Sequence, residues 1–161
     1  MYRWIVFLHI LGAFGFLLMH GASATVSLRL RTERNLERVR ALLDLSMTYA
    51  GASYGGLLLL LAAGVAAGFL GKWWGQLWIW VSLAILIALM AAMFVLGTSF
   101  YSRVRKAAGL EFMDKYKPHP PVPPAPAELD ALLSSSRPLV LAAVGGGGLV
   151  LLLWLMMFKP F

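Results

Sequence analysis

Apolar residues in this chain fall into four long runs, with the polar residues gathered between them. The runs extend from about Trp4 to Ser27, Tyr49 to Leu70, Leu77 to Ser99 and Leu139 to Phe158. Each is near the roughly 20 residues a helix needs to cross about 30 Å of hydrocarbon. The pattern predicts an all-α fold, an integral-membrane four-helix antiparallel bundle forming one domain over residues 1–161. A cleaved signal peptide is the rival reading of the start, with Arg3 before the first run and Gly21-Ala22-Ser23-Ala24 as a cleavage region. The run is long for such a peptide and an arginine cluster follows it directly, so the first span is read as a retained helix.

Two polar segments connect the spans on one side. Residues 29–46 are expected to form an amphipathic helix lying on the inner membrane surface. There Leu36, Val39 and Leu42 or Leu43 recur at helical spacing and the arginines sit near anionic headgroups. Residues 102–137 form a loop containing KPHPPVPPAP at 117–126, where proline removes the N–H and obstructs the preceding turn. An extended polyproline strap is expected there, acting as a semi-rigid linker although its P-x-x-P spacings also suit a reader domain. Ser134-Ser135-Ser136-Arg137-Pro138 offers an N-cap, a cation and a helix-starting proline for the fourth span.

Composition strengthens the membrane reading: 60% of residues are hydrophobic, 13% are charged, and the mean hydropathy is +0.78. Soluble domains are nearer a quarter charged. With no cysteine, disulfides and thiolate metal sites are excluded. The net charge of +7 is read as topology and not as affinity for nucleic acid. Arg29, Arg31, Arg34, Arg38 and Arg40 follow the first span, and Arg103, Arg105, Lys106, Lys115, Lys117 and Arg137 follow the third. These eleven of 14 basic residues mark the cytoplasmic side, leaving both termini outside. Trp4, Trp73, Trp74, Trp78, Trp80 and Trp154 then fall in the outer half, and Tyr49, Tyr101 and Tyr116 near the inner boundary, as aromatic belts.

Glycines point to helix packing. Gly51 with Gly55, and Gly64 with Gly68, give two small-x-x-x-small spacings on the second span. Gly145 to Gly148 lie in the middle of the fourth, where they create a flat surface for a neighbouring helix or a flat cofactor.

No Asp, Glu, Lys or Arg lies deep in a span, and neither a phosphate loop, a His-Glu-x-x-His motif nor a serine nucleophile elbow is present. That speaks against hydrolytic or phosphoryl-transfer catalysis. The candidate chemistry rests on His9 and His20 in the first span. Eleven residues bring both rings to one helix face, about 16.5 Å apart along the axis. Either they bond across the bundle and lock helix packing, or they are axial ligands to haem b or copper. No second histidine matches their depth on another span, because His119 is in the strap. Thioether partners do: Met93 on the third span falls near the depth of His20, and Met156 on the fourth near that of His9.

The opening WIVFLHILGAFGFLLMHG, with its Leu-His-x-x-Gly run, resembles small four-helix bacterial membrane proteins of unknown function. It also resembles the copper-resistance protein D group and the membrane-type protoporphyrinogen oxidases, which begin with a similar Leu-His segment. The resemblance implies that His9 matches the first-helix histidine for which haem or copper binding is proposed in those families.

The function expected from the sequence is therefore a small, non-enzymatic subunit of a bacterial-type inner-membrane assembly, with electron transfer as its context. It would present His9 or His20 to haem or copper, with further membrane subunits or a second copy as partners. A copper or small-solute transport protein and a cofactor-free structural protein are the alternatives. Between the two rings, His9 is expected to carry the cofactor and His20, one turn from Ser23, to carry stability.

Overall fold

A computed structural model of the chain describes every residue except Tyr116, so the belt position expected for that ring lies outside the described residues. The elements in order are α1 (Tyr2–Leu30), α2 (Leu36–Leu70), a 3-10 turn (Trp73–Gly75), α3 (Leu77–Ala107), β1 (Phe112–Asp114), β2 (Lys117–His119), α4 (Pro126–Leu133) and α5 (Arg137–Phe158). Four helical segments, α1, α2, α3 and the one ending at Phe158, are long and apolar enough to cross a membrane. The chain is an all-α four-helix bundle carrying a two-stranded ribbon on one connection. Both termini lie at the end of the bundle that holds the tryptophans, and the basic connections lie at the other.

The tightest pair is α1 and α2. Two glycines outside the expected spacings make it possible. A Cβ on Gly12 would stand 2.4 Å from the Leu60 backbone nitrogen, and one on Gly56 would stand 2.4 Å from that of Phe16. Such backbone-to-backbone approach replaces the hydrophobic drive that lipid cannot supply between helices. Gly51 and Gly55, expected on this seam, instead face open space. The contact face of α2 runs through Gly56, Leu60 and Gly64, and a residue at position 55 is turned about 100° away from it. Within the four-glycine run, Gly148 meets Leu89 of α3 and Gly145 meets α1 and α3, while Gly146 and Gly147 face outward.

Residues 29–46 correct the expectation of a separate surface helix. After a turn at Thr32, α2 begins at Leu36 and continues unbroken for 35 residues. Asn35 caps it, its side-chain oxygen accepting from the Arg38 N–H at 3.1 Å. No glycine or proline interrupts the segment, and Val39 and Leu43 are buried in the protein where they had been expected to meet lipid. They belong to the main hydrophobic core, which lies at the basic end. There Leu30, Phe100, Val104 and Ala107 surround them, and Leu129, Leu132 and Leu133 of α4 close the core from below.

The strap is extended, as proline requires, but two details differ from a free linker. Lys117–His119 pairs antiparallel with Phe112–Asp114, with Phe112 opposite His119. The Ala125 N–H donates to the Ala107 carbonyl at 2.9 Å, after which Pro126 occupies the first turn of α4. Gly109, at φ +76°, makes the reversal after α3 in a conformation that favours glycine.

Candidate functional site

The two histidines of α1 part company. The Nδ1 of His9 donates to the Leu60 carbonyl on α2 at 2.8 Å. A carbonyl only accepts, so this bond places the proton of the neutral ring on Nδ1. The ring fills the notch at Gly64, whose Cβ, if present, would lie 2.9 Å from both Nδ1 and Cε1. His9 is thus a packing wedge between α1 and α2, and Gly64 is the residue that admits it. Met156, expected as its depth-matched thioether, is an exposed side chain on α5.

His20 turns the other way, toward α5 and α3. Its ring stacks on Phe16 one turn earlier, with centroids 5.2 Å apart and planes inclined by 16°. A Cβ on Gly145 would lie 3.7 Å from His20 Nε2 and 3.6 Å from both Sδ and Cε of Met93. The imidazole nitrogen and the thioether sulfur therefore converge on one glycine from two different helices. Antiparallel packing explains the depth match, because α5 descends beside α1 while Gly145 and Gly148 bring α3 against α5. The free space is that of a methyl group, not of a macrocycle. Ser23, expected as a partner of His20, instead shares a 2.9 Å hydroxyl contact with Ser46 on α2. Among the described residues no three His, Cys, Asp or Glu side chains are grouped to hold a metal, so any metal reading depends on sulfur from methionine.

The arginines after α1 were expected at lipid headgroups, and three of them bind protein instead. Arg31 Nε donates to the Ser135 carbonyl at 3.2 Å. Arg34 reaches the Asp130 carboxylate at 2.7 Å. Arg40 donates to the Ala108 carbonyl and pairs with Glu37, both at 2.9 Å. For Arg31 and Arg34 the acceptors come from α4 and the turn after it, which the sequence did not reveal; for Arg40 they come from the end of α3 and from α2 itself. Arg29 and Arg38 remain exposed.

The tryptophan belt needs a similar correction. Trp78 is only 4% exposed and stacks obliquely on Trp73, with centroids 5.8 Å apart. Trp74 packs on Gly68, and its indole Nε1 is buried with no hydrogen-bond partner among the described residues. Lys159, beyond the last helix, places its ammonium 4.3 Å from the Trp73 centroid and 5.5 Å from that of Trp78. Trp73 and Trp78 under Lys159, and Trp74 against Phe69 and Trp80, cap the bundle end, while Trp4, Trp80 and Trp154 are exposed as a belt requires.

No protein-family model matches the chain, and no curated protein or solved structure matches it. What the fold defines is a class, a multi-pass four-helix membrane protein.

Proposed function

We propose that the chain is a small integral subunit of a bacterial-type inner membrane that holds one Cu(I) ion between His20 and Met93, with its basic end toward the cytoplasm. The convergence of His20 Nε2 and Met93 Sδ on the methyl-sized space at Gly145 carries this reading. A soft thioether favours Cu(I), and imidazole is an established copper donor. A monovalent ion with two neutral ligands also leaves less charge in an apolar seam than a divalent one would. Stacking on Phe16 orients the imidazole before a metal arrives, as a supporting shell should. Copper is preferred to haem because a macrocycle needs more room than Gly145 leaves. It is preferred to a cofactor-free role because His20 Nε2 shares the Gly145 position with a thioether sulfur.

X-ray absorption at the copper edge tests this reading on the full chain loaded with Cu(I) under reducing conditions. One nitrogen and one sulfur scatterer in the first shell, with sulfur lost in Met93→Leu, is the expected result. A first shell without sulfur would contradict the proposal.

A further inference from the structure

One face of α3 changes its chemistry along its length. Phe94 and Val95 are exposed and apolar, Thr98, Ser99 and Ser102 follow with hydroxyls, and Arg103 and Lys106 end the stripe with cations. Alternating steps of one and three residues keep these side chains on one side of the helix over about 18 Å. The β1–β2 ribbon stands over the polar part. The Met113 N–H donates to Ser102 Oγ at 3.0 Å, and that hydroxyl donates back to the Met113 carbonyl. Lys106 lies with its ammonium 5.4 Å from the Phe112 ring centroid. Between helix and ribbon runs an open groove of about 570 Å³, lined from Phe94 at one end to Lys115 at the other.

We propose that this groove binds one anionic phospholipid. Its phosphate would lie among Arg103, Lys106 and Lys115, its ester region beside Thr98 and Ser99, and an acyl chain along Phe94 and Val95. The order along the groove is the order of groups in the lipid, from hydrocarbon through ester to phosphate. Three cations line the groove against a single carboxylate, Asp114. Arg103 also has Glu128 at 3.9 Å, but both side chains are about half exposed or more, and such a pair yields readily to a phosphate. A free phosphate would use the cationic end alone and leave the apolar end unexplained. The groove opens at the basic end of α3, whose Ile87, Met90, Phe94 and Val95 are exposed, so a lipid can enter it sideways from the leaflet. This site is separate from His20 and Met93 and does not depend on the copper reading.

Native mass spectrometry of the full chain in mild detergent measures retention of dioleoylphosphatidylglycerol against dioleoylphosphatidylcholine. The wild type should retain the glycerol lipid preferentially. Arg103→Gln, Lys106→Gln and Lys115→Gln should each lower that preference about fivefold, the value of one cation near an anionic headgroup. Arg3→Gln and Lys72→Gln, which remove equal charge outside the groove, should leave it unchanged. Equal loss in both sets would reduce the effect to net charge and overturn the proposal, as would displacement of the lipid by millimolar inorganic phosphate. A second measurement needs no variant: wild-type protein in mixed vesicles of the two lipids, with a photoactivatable acyl chain on the phosphatidylglycerol. Labelling should concentrate on the peptide containing Phe94 and Val95, and labelling spread evenly over the four spans would contradict the site.

Discussion

The Nδ1 of His9 donates to the carbonyl oxygen of Leu60 across 2.8 Å, tying α1 to α2 at the notch left by Gly64. That one relationship places His9 in the packing of α1 against α2. The ring favoured as a ligand on resemblance is engaged in packing, and the ring of His20 reaches the Gly145 position that the Met93 thioether also reaches.

His9→Ala should therefore lower stability and leave copper binding intact. An interhelical hydrogen bond in a membrane is worth about 0.6 kcal/mol on average and at most about 1.7. For a protein of this size each kcal/mol moves the melting midpoint by about 2–4 °C. A small drop in thermal midpoint in detergent, with unchanged metal content, is the expected outcome.

The glycine seam makes a sharper distinction. Gly12→Ala or Gly56→Ala drives a methyl into backbone 2.4 Å away, which forces α1 and α2 apart. Overpacking of this kind costs about 1–3 kcal/mol even where side chains can yield, and backbone yields less. Gly55→Ala meets nothing within 4 Å and should be silent or slightly stabilising, since alanine is the better helix former. Thermal unfolding of the three variants in one detergent checks the contrast, and equal behaviour would refute the seam.

How much of this was legible follows from what each signal depends on. The four spans were readable because hydrocarbon imposes length and apolarity on each segment independently of its neighbours. The depth match of His20 and Met93 was readable too, since it needs only helix rise and an antiparallel arrangement. Azimuth was not. Whether Gly55 or Gly56 faces α1 depends on how two helices are rotated against each other, and a one-residue difference turns the face by about 100°. The fate of Arg31 and Arg34 depended on α4, an eight-residue helix hidden between a proline strap and a serine run, and on the turn after it, and that of Arg40 on the end of α3. The unbroken start of α2 could have been suspected from the absence of any helix breaker between Leu36 and Tyr49.

At the opposite end, Lys159→Met should remove the cation held over Trp73 and Trp78 while preserving side-chain length. A cation–π contact is worth about 0.5–1 kcal/mol at exposed sites. The change should appear as a shift in indole emission together with a lower midpoint. Trp78→Ala, which removes a buried side chain from the cap, should cost several times more, about 3–5 kcal/mol by analogy with core aromatics.

In the turn before α2, the carboxylate of Glu33 accepts from the N–H groups of Asn35 and Arg34, both at 3.0 Å, which holds its pKa below the ordinary glutamate value. A lowered folded-state pKa means that the stabilisation is present above the unfolded pKa and fades as pH falls through the folded one. Titration of the Glu33 carboxyl carbon by NMR should give a midpoint below that of glutamate in an unstructured peptide. Glu33→Gln should weaken this acid dependence at the α1–α2 turn.

The central claim is the pairing of His20 with Met93 across Gly145, and competitive titration of Cu(I) against a chromophoric chelator tests it most directly. Wild type and His9→Ala should each take up one ion per chain, whereas His20→Ala and Met93→Leu should lose at least most of that affinity. Gly145→Ala is the most discriminating variant. Its methyl would stand at ordinary contact distance from both donors, so the bundle should fold normally while the space for the ion is filled. Loss of copper in Gly145→Ala with helicity and midpoint preserved is the predicted result, and a Gly145→Ala or His20→Ala protein that binds Cu(I) as the wild type does would contradict the account.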